Sequence, residues 1–225
     1  MYAERTSRLP GAAIWKRIDA VDQTAEHRVL PDGCLDLIWI DGELVVAGPD
    51  TVAHLSPAAP GRQFTGIRFR PGLGPAVLGL PAYELLDRRV PLADIWPAAR
   101  ARRLSGLAFA DRGQLLERIA EESLAGHEPD PIARAIAAQL RAGRPVASIA
   151  AAAELSERQL LRRCRHAFGY GPKTLTRILR FGRALAAARA GTPFATVAFE
   201  TGYSDQPHLA RDVKSLAGVP LGSLV

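Results

Sequence analysis

Through the C-terminal part of the chain, apolar residues recur at three- and four-residue intervals, the period of a helix with one buried face. Ile132, Ala135, Ile136 and Leu140 form such a stripe over residues 131–141, which breaks at "AGRP". "VASIAAAA" (146–153) predicts a short helix, Ser156 stands as an N-cap, and "ERQLLRRCRHAF" predicts a second helix stopped by Gly169. In that helix Leu160, Cys164, Ala167 and Phe168 share one face, while Arg158, Leu161, Arg162 and Arg165 share another. Only the first face has an obvious core to enter. After Pro172, residues 173–190 predict one long helix with Leu175, Ile178, Leu179, Leu185 and Ala186 inward, closed by Gly191.

The pattern then starts again. "FATVAFETGYSDQPHLARDVKSLAG" aligns with "VASIAAAAELSERQLLRRCRHAFG": Ile149/Val197 and Ser156/Ser204 lie 48 apart, and after one inserted residue Leu160/Leu209, Arg162/Arg211 and Gly169/Gly218 lie 49 apart. This is an internal repeat of two helix-turn-helix units, about 146–169 and 194–218, joined by the long helix. Two second helices held about 34 Å apart can enter successive major grooves of B-form DNA. Their N-termini would turn free N–H groups toward phosphate, with Ser156 and Ser204 as caps beside the DNA backbone.

The N-terminal part has a different period. "CLDLIWIDGELVVAG" is two strand-like runs about Asp41-Gly42, a strong hairpin signal, and "RQFTGIRFRPG" predicts a strand with Ile67 and Phe69 on one face and Arg68 and Arg70 on the other. "GPAVLGLPAYELLDRRVPLADIW" and "RRLSGLAFADRGQLLERIAEESL" are taken as helices leading into the next domain. The expected fold class is α+β: a β-rich module with helices over residues 1–125, then an all-α domain over 126–225.

Charge divides at the same place. Residues 131–225 hold 14 Lys and Arg against 5 Asp and Glu, whereas residues 1–130 hold 15 against 18. A basic domain joined to a near-neutral one points to a polyanion binder with a separate regulatory or assembly module, although a solvated basic face remains the alternative. Cys34 and Cys164 lie far apart with no CxxC pair, which favours small buried residues over a disulfide framework or a zinc site. The N-terminus lacks the apolar run of an export signal, and no run approaches the roughly 20 residues of a membrane span, so a cytoplasmic location is expected.

"IAAAAELSERQLLRRCRHAFGYGPKTLTRILRFGRALAAAR" followed by "VAFETGYSDQPHLARDVKSLAGVPLGSL" resembles the DNA-binding domain of AraC/XylS-type transcription regulators over about residues 131–225. The resemblance implies that the second helix of each unit enters the major groove. The groove-facing positions it implies are Arg158, Leu161, Arg162 and Arg165 in the first unit. In the second they are Gln206, His208, Ala210 and Arg211, with Pro207 in the first turn. Two departures stand out: Glu154 occupies a turn position where Gly is common, and Val213 and Ala217 replace larger aromatics, which predicts looser packing of the second unit. "LPDGCLDLIW", "GIRFRPG" and "RRVPLADIW" resemble an uncharacterised domain found ahead of such units, over residues 8–125.

Chemistry then assigns roles. Arg158 and Arg162 can each offer a bidentate fork to guanine, Gln206 can pair with adenine, and His208 can donate to a base or phosphate or simply pack. Arg165, Arg177, Arg180 and Lys214 are placed as phosphate contacts. In the β-rich module Trp15, Trp39, Phe64 and Phe69 are candidates to line a small-molecule pocket, with aromatic core packing as the alternative. His27, Asp32, Cys34, Asp36 and His54 match no metal-ligand spacing, and no catalytic or cofactor motif is present, so neither enzyme activity nor a cofactor is expected. The expected function is sequence-specific DNA binding in transcription regulation, modulated by the N-terminal module. The expected partners are double-stranded DNA, a small-molecule effector, a second copy of the chain and RNA polymerase. The alternative is a small-molecule binding protein or enzyme with a basic accessory domain.

Overall fold

Strands pair where alternation and turn chemistry agree. In the computed structural model, which describes residues 1–20, 26–107, 111–126 and 128–225, the strands are β1 (Tyr2–Thr6), β2 (Ala12–Ile18), β3 (His27–Val29), β4 (Leu35–Ile40), β5 (Glu43–Ala47), β6 (His54–Ser56), β7 (Gln63–Phe69) and β8 (Arg89–Pro91). Asp41 and Gly42 sit at φ +50° and +86°, the left-handed pair that a tight hairpin between β4 and β5 requires. The main sheet is antiparallel in the order β1-β2-β7-β4-β5-β8, and β3 pairs with β6 as a separate ribbon.

Alternation gives the sheet two unlike faces. Ile14, Leu37, Val46, Ile67 and Phe69 form one, covered by helices α1 (Gly74–Leu78) and α3 (Arg112–Leu124), whose Leu115, Leu116 and Ile119 are buried against them. The opposite face carries Trp15, Asp36, Ile38, Phe64 and Arg68 and borders a cavity shared with the ribbon.

The expectation of helix from Gly74 to Trp96 is corrected. Pro81, Pro91 and a left-handed Gly79 cut the run into the short α1, two 3-10 turns (Ala82–Leu85 and Leu92–Asp94) and β8, which pairs Val90 with Val46 at the sheet edge. The second expected helix is also divided, into α2 (Ala98–Ser105) and α3, the latter capped by Asp111; residues 108–110 of that run lie outside the described residues.

The C-terminal helices are α4 (Pro131–Arg141), α5 (Val146–Ala152), α6 (Glu157–Phe168), α7 (Pro172–Arg189), α8 (Phe194–Thr201) and α9 (Gln206–Ala217). They enclose one core. Ile149, Leu160, Cys164 and Phe168 of the first unit and Val197, Leu209, Val213 and Leu216 of the second both pack on Leu175, Ile178, Phe181 and Leu185 of α7. The expected stripes are rotated slightly: in α4 the buried set is Ala133, Ile136, Ala137 and Leu140, with Ile132 and Ala135 exposed, and in α7 Ala184 and Ala188 are buried in place of Ala186. Alanine is too small for its position to reveal which neighbour faces inward. Val213 and Ala217 are fully buried.

Candidate nucleic-acid interface

Helix α6 begins with a reciprocal cap: Ser156 Oγ accepts from the Gln159 N–H at 3.3 Å, and Gln159 Oε1 accepts from the Ser156 N–H at 2.8 Å. Its inward residues fix the helix phase, leaving Arg158, Leu161, Arg162 and Arg165 exposed on the other side, with even the apolar Leu161 42% exposed. The turn before it is tight, with Glu154 at φ +53° where the equivalent Gly202 of the second unit has φ +82°.

The second unit repeats the arrangement with one correction. Ser204 does not cap α9. The cap is Asp205, whose carboxylate accepts from the His208 N–H at 2.6 Å, while Ser204 Oγ lies 3.0 Å from His208 Nδ1. Ser156 and Asp205 are the structural equivalents, so the inserted residue precedes the cap. Gln206, Ala210, Arg211 and Lys214 are exposed, whereas His208 is half-buried with its ring edge-on to Tyr203 at 5.1 Å. His208 is thus tied to its own turn on one side.

The basic residues on α6 and α9, and those of α7 that reach α9, fall into two sets. Arg163 pairs with Asp130 at 3.2 Å. Arg177 donates to Asp212 Oδ1 at 2.5 Å and to Ser215 Oγ at 2.9 Å, and Arg180 reaches Asp212 Oδ2 at 3.5 Å while stacking 4.1 Å over the Tyr203 ring. The phosphate-contact expectation for Arg177 and Arg180 is therefore corrected: the buried Asp212 carboxylate takes both as braces of α9 on α7. By contrast Arg158, Arg162, Arg165, Arg211 and Lys214 have no ion pair among the described residues.

Both second helices dock on the N-terminal module by their C-terminal ends. Gly169, just after α6, abuts Pro49 and the Ala82 carbonyl. At the end of α9, the Arg28 guanidinium donates to the Ala217 carbonyl oxygen and the Ala53 N–H to that of Leu216, both at 2.7 Å. Their N-terminal turns stay exposed.

Of the four aromatics expected around a pocket, Trp15 and Phe64 line the cavity, which has a volume of about 370 Å³. Phe69 and Trp39 are corrected. Each sits one step out of phase on its strand, so Phe69 is fully buried on the helix-covered face and Trp39 packs there under the Arg112 guanidinium at 4.1 Å. His27, Asp32, Cys34, Asp36 and His54, unconnected by spacing, converge on this same cavity, and Cys34 is half-buried in its wall. No group of side chains among the described residues has the arrangement to hold a metal ion. The only advance signal was the alternation in "LDLIWI", which puts Asp36 on the face opposite Leu35 and Leu37. Trp15 lies flat over Gly66, where a Cβ would come within 2.3 Å of the indole, and its N–H donates to Asp36 Oδ1 at 2.6 Å.

No helix among the described residues is long and apolar enough to cross a membrane. Residues 134–224 match the family described as "Helix-turn-helix domain", and residues 12–91 match a "Domain of unknown function (DUF6597)". No curated protein matches the chain. Among solved structures, ToxT from Vibrio cholerae O395 is similar at 8% identity and TM-score 0.50, covering 93% of this chain and 96% of that one. A ToxT variant from Vibrio cholerae strain SCE256 is similar at 12% identity and TM-score 0.49, covering 98% and 100% respectively. The fold shared with the O395 structure extends over both parts of the chain. Two helix-turn-helix units on one central helix, an exposed basic face on each second helix, and the two family matches together show a helix-turn-helix domain of the AraC type in the C-terminal part of the chain, with a DUF6597 domain ahead of it.

Proposed function

We propose that the protein regulates transcription by reading a specific DNA site with α6 and α9 in successive major grooves, and that the N-terminal domain modulates how these helices sit. The observation that carries the reading is the sorting of the basic side chains. Around α6 and α9, Arg163, Arg177 and Arg180 are paired with carboxylates, whereas Arg158, Arg162, Arg165, Arg211 and Lys214 have no ion pair among the described residues and stand on the outer faces of the two second helices. An unpaired, exposed guanidinium keeps its donors free for guanine or phosphate. Helix α7, 18 residues long and so about 27 Å at 1.5 Å per residue, is a stiff spacer between the units.

In this reading Arg158, Arg162 and Gln206 contact base edges, Leu161 offers apolar contact, and Arg165, Arg211 and Lys214 grip phosphate. Ser156 presents its cap, and Ser204 with His208 presents the turn, to the DNA backbone. Modulation passes through the contacts at the C-terminal ends of α6 and α9, because those ends rest on the N-terminal domain. Helix α3 is the weaker route: it packs on α1 and β7, whereas α4 packs on α7. A second copy of the chain and RNA polymerase remain the proposed protein partners. Selection of bound sites from random DNA, followed by footprinting, tests the reading. Two protected major-groove segments about one helical turn apart support it. Affinity indifferent to both salt and sequence overturns it.

A further inference from the structure

We propose that the cavity between the main sheet and the β3–β6 ribbon binds a small organic cation with an apolar body, and that its occupancy acts on helix α9 through the ribbon. The second part rests on the reading that α9 contacts DNA.

Strand register lays the cavity wall out in rows. Trp15, Gly66, Ile38 and Val45 are cross-strand neighbours, giving an apolar middle over which the indole lies flat. The next row on one side is polar, with Arg68 beside Asp36. At about 370 Å³ the cavity falls within the size range of small-molecule sites, about 300–1,000 Å³.

Charge selects the class of occupant. Three arginines around the cavity are matched one to one: Arg17 with Asp19 at 3.0 Å, Arg62 with Asp41 at 2.6 Å and Arg89 with Asp50 at 2.6 Å. The fourth, Arg68, faces three carboxylates, Asp36 at 3.3 Å, Asp32 at 3.4 Å and Glu4 at 3.5 Å. His27 and His54 do not offset this surplus, because burial, with Arg17 and Arg89 respectively adding to it, lowers both and favours the neutral rings. Burial raises the Asp36 carboxyl to about 6, with Asp32 adding to the rise and Arg68, the Trp15 N–H and Arg89 pulling against it. An ammonium group placed here gains Asp36 and Asp32, and its apolar body meets the Trp15 and Tyr2 rings, which also line the cavity. A carboxylate ligand would instead meet Asp36 and Asp32, which already share the Arg68 guanidinium with Glu4.

The ribbon links this site to α9 by its period of two. His27 and Val29 of β3 and His54 and Ser56 of β6 face the cavity, so Arg28 points the other way and caps the Ala217 carbonyl at 2.7 Å. Ala53, just before β6, takes the Leu216 carbonyl. Leu30 is shared outright, lining the cavity and packing on the C-terminal core. An occupant seated against this inner wall bears on the element that terminates α9.

The test uses the full chain and three probes: phenethylammonium, benzyltrimethylammonium and, as the anionic counterpart, 3-phenylpropionate. Binding is followed by the indole resonance of Trp15, assigned with Trp15→Phe. Both ammonium probes should shift it saturably, with 3-phenylpropionate at least about tenfold weaker. Asp36→Asn should weaken the ammonium probes about tenfold, and Ile38→Trp, which fills the cavity and leaves Asp36 intact, should abolish binding. The site is overturned by a carboxylate probe that binds as well, by ammonium binding indifferent to both variants, or by no shift with any probe. For the coupling, phenethylammonium should change footprint protection over the α9 half of a selected site in the wild type. In Arg28→Ala it should bind as before and leave protection unchanged. Unchanged protection in the wild type sinks the coupling while the cavity result stands. Failure to bind any DNA specifically sinks the functional reading, and the resonance measurements still decide the cavity.

Discussion

Arg177 Nε donates to Asp212 Oδ1 at 2.5 Å, a contact that holds the middle of α9 against α7. The same buried carboxylate accepts from the Tyr203 hydroxyl at 3.0 Å, so α7, α9 and the turn before α9 meet at one acidic group. Asp212→Ala leaves Arg177, Arg180 and Tyr203 without their shared acceptor and should cost about 3 kcal/mol. Urea unfolding measures the loss. At temperatures where the variant stays folded, protection should disappear over the α9 half-site before the α6 half-site.

Arg158 and Arg165 stand on one exposed face but should behave differently on DNA. Arg158→Ala should relax specificity at one or two base pairs, by about 1–3 kcal/mol of discrimination. Arg165→Ala should weaken all sequences about equally and lower the salt slope by about 1. Titrations of a selected site and its single-base variants at several salt concentrations separate the two. Identical behaviour in both variants removes the division between readout and grip.

Glu154 carries a side chain at φ +53°. A left-handed conformation costs a non-glycine residue about 1–2 kcal/mol, part of which glycine returns through its freer unfolded chain. Glu154→Gly should therefore stabilise the protein by about 0.5–1 kcal/mol, a rise in Tm of about 1–4 °C read by calorimetry. A fall in Tm would show that the Glu154 side chain contributes more than its backbone costs.

Glu117 makes the N-terminal domain sensitive to acid. Burial works to raise its carboxyl, but the Arg5 guanidinium, the Arg8 N–H and the Ser7 hydroxyl outweigh burial and hold it at about 2 against an ordinary 4.5. Its folded value lies below its unfolded one, so its contribution is fully present above about pH 5 and is lost as the pH falls toward 2. The size is about 3 kcal/mol. Glu117→Gln should be less stable than wild type at pH 7, and the two stability curves should converge only as the pH falls to about 2 and below.

The C-terminal domain was the more legible because helices are local. Leu160, Cys164 and Phe168 declare their face within a few turns, and the repeat doubles the evidence for both units. What local pattern missed there was phase and partnership. Alanine at 135 or 186 does not say which side it faces, an aspartate beside a serine competes for the cap, and Arg177 looks like Arg165 until Asp212 is brought under it. In the N-terminal domain the local pattern gives no sign of β1, β2, β3, β6 or β8, because a strand such as "RVP" acquires meaning only from its pairing with Val46 across the sheet. Whether Trp39 and Phe69 face a pocket or the core is hidden from the sequence for the same reason. Which face of a strand is covered depends on helices distant in sequence.

The sequence by itself determined the two helix-turn-helix units, the long helix between them, the basic second helices and the β4–β5 hairpin, since each follows from periodicity, capping and turn chemistry over short spans. Tertiary structure alone decided which arginines are free and which are braces, and it gathered His27, Asp32, Cys34, Asp36 and His54 around one cavity. It alone also set Arg28 of the ribbon on the last turn of α9. Those relationships join residues up to 189 positions apart, and a side chain's partner at that distance is fixed by how whole layers pack.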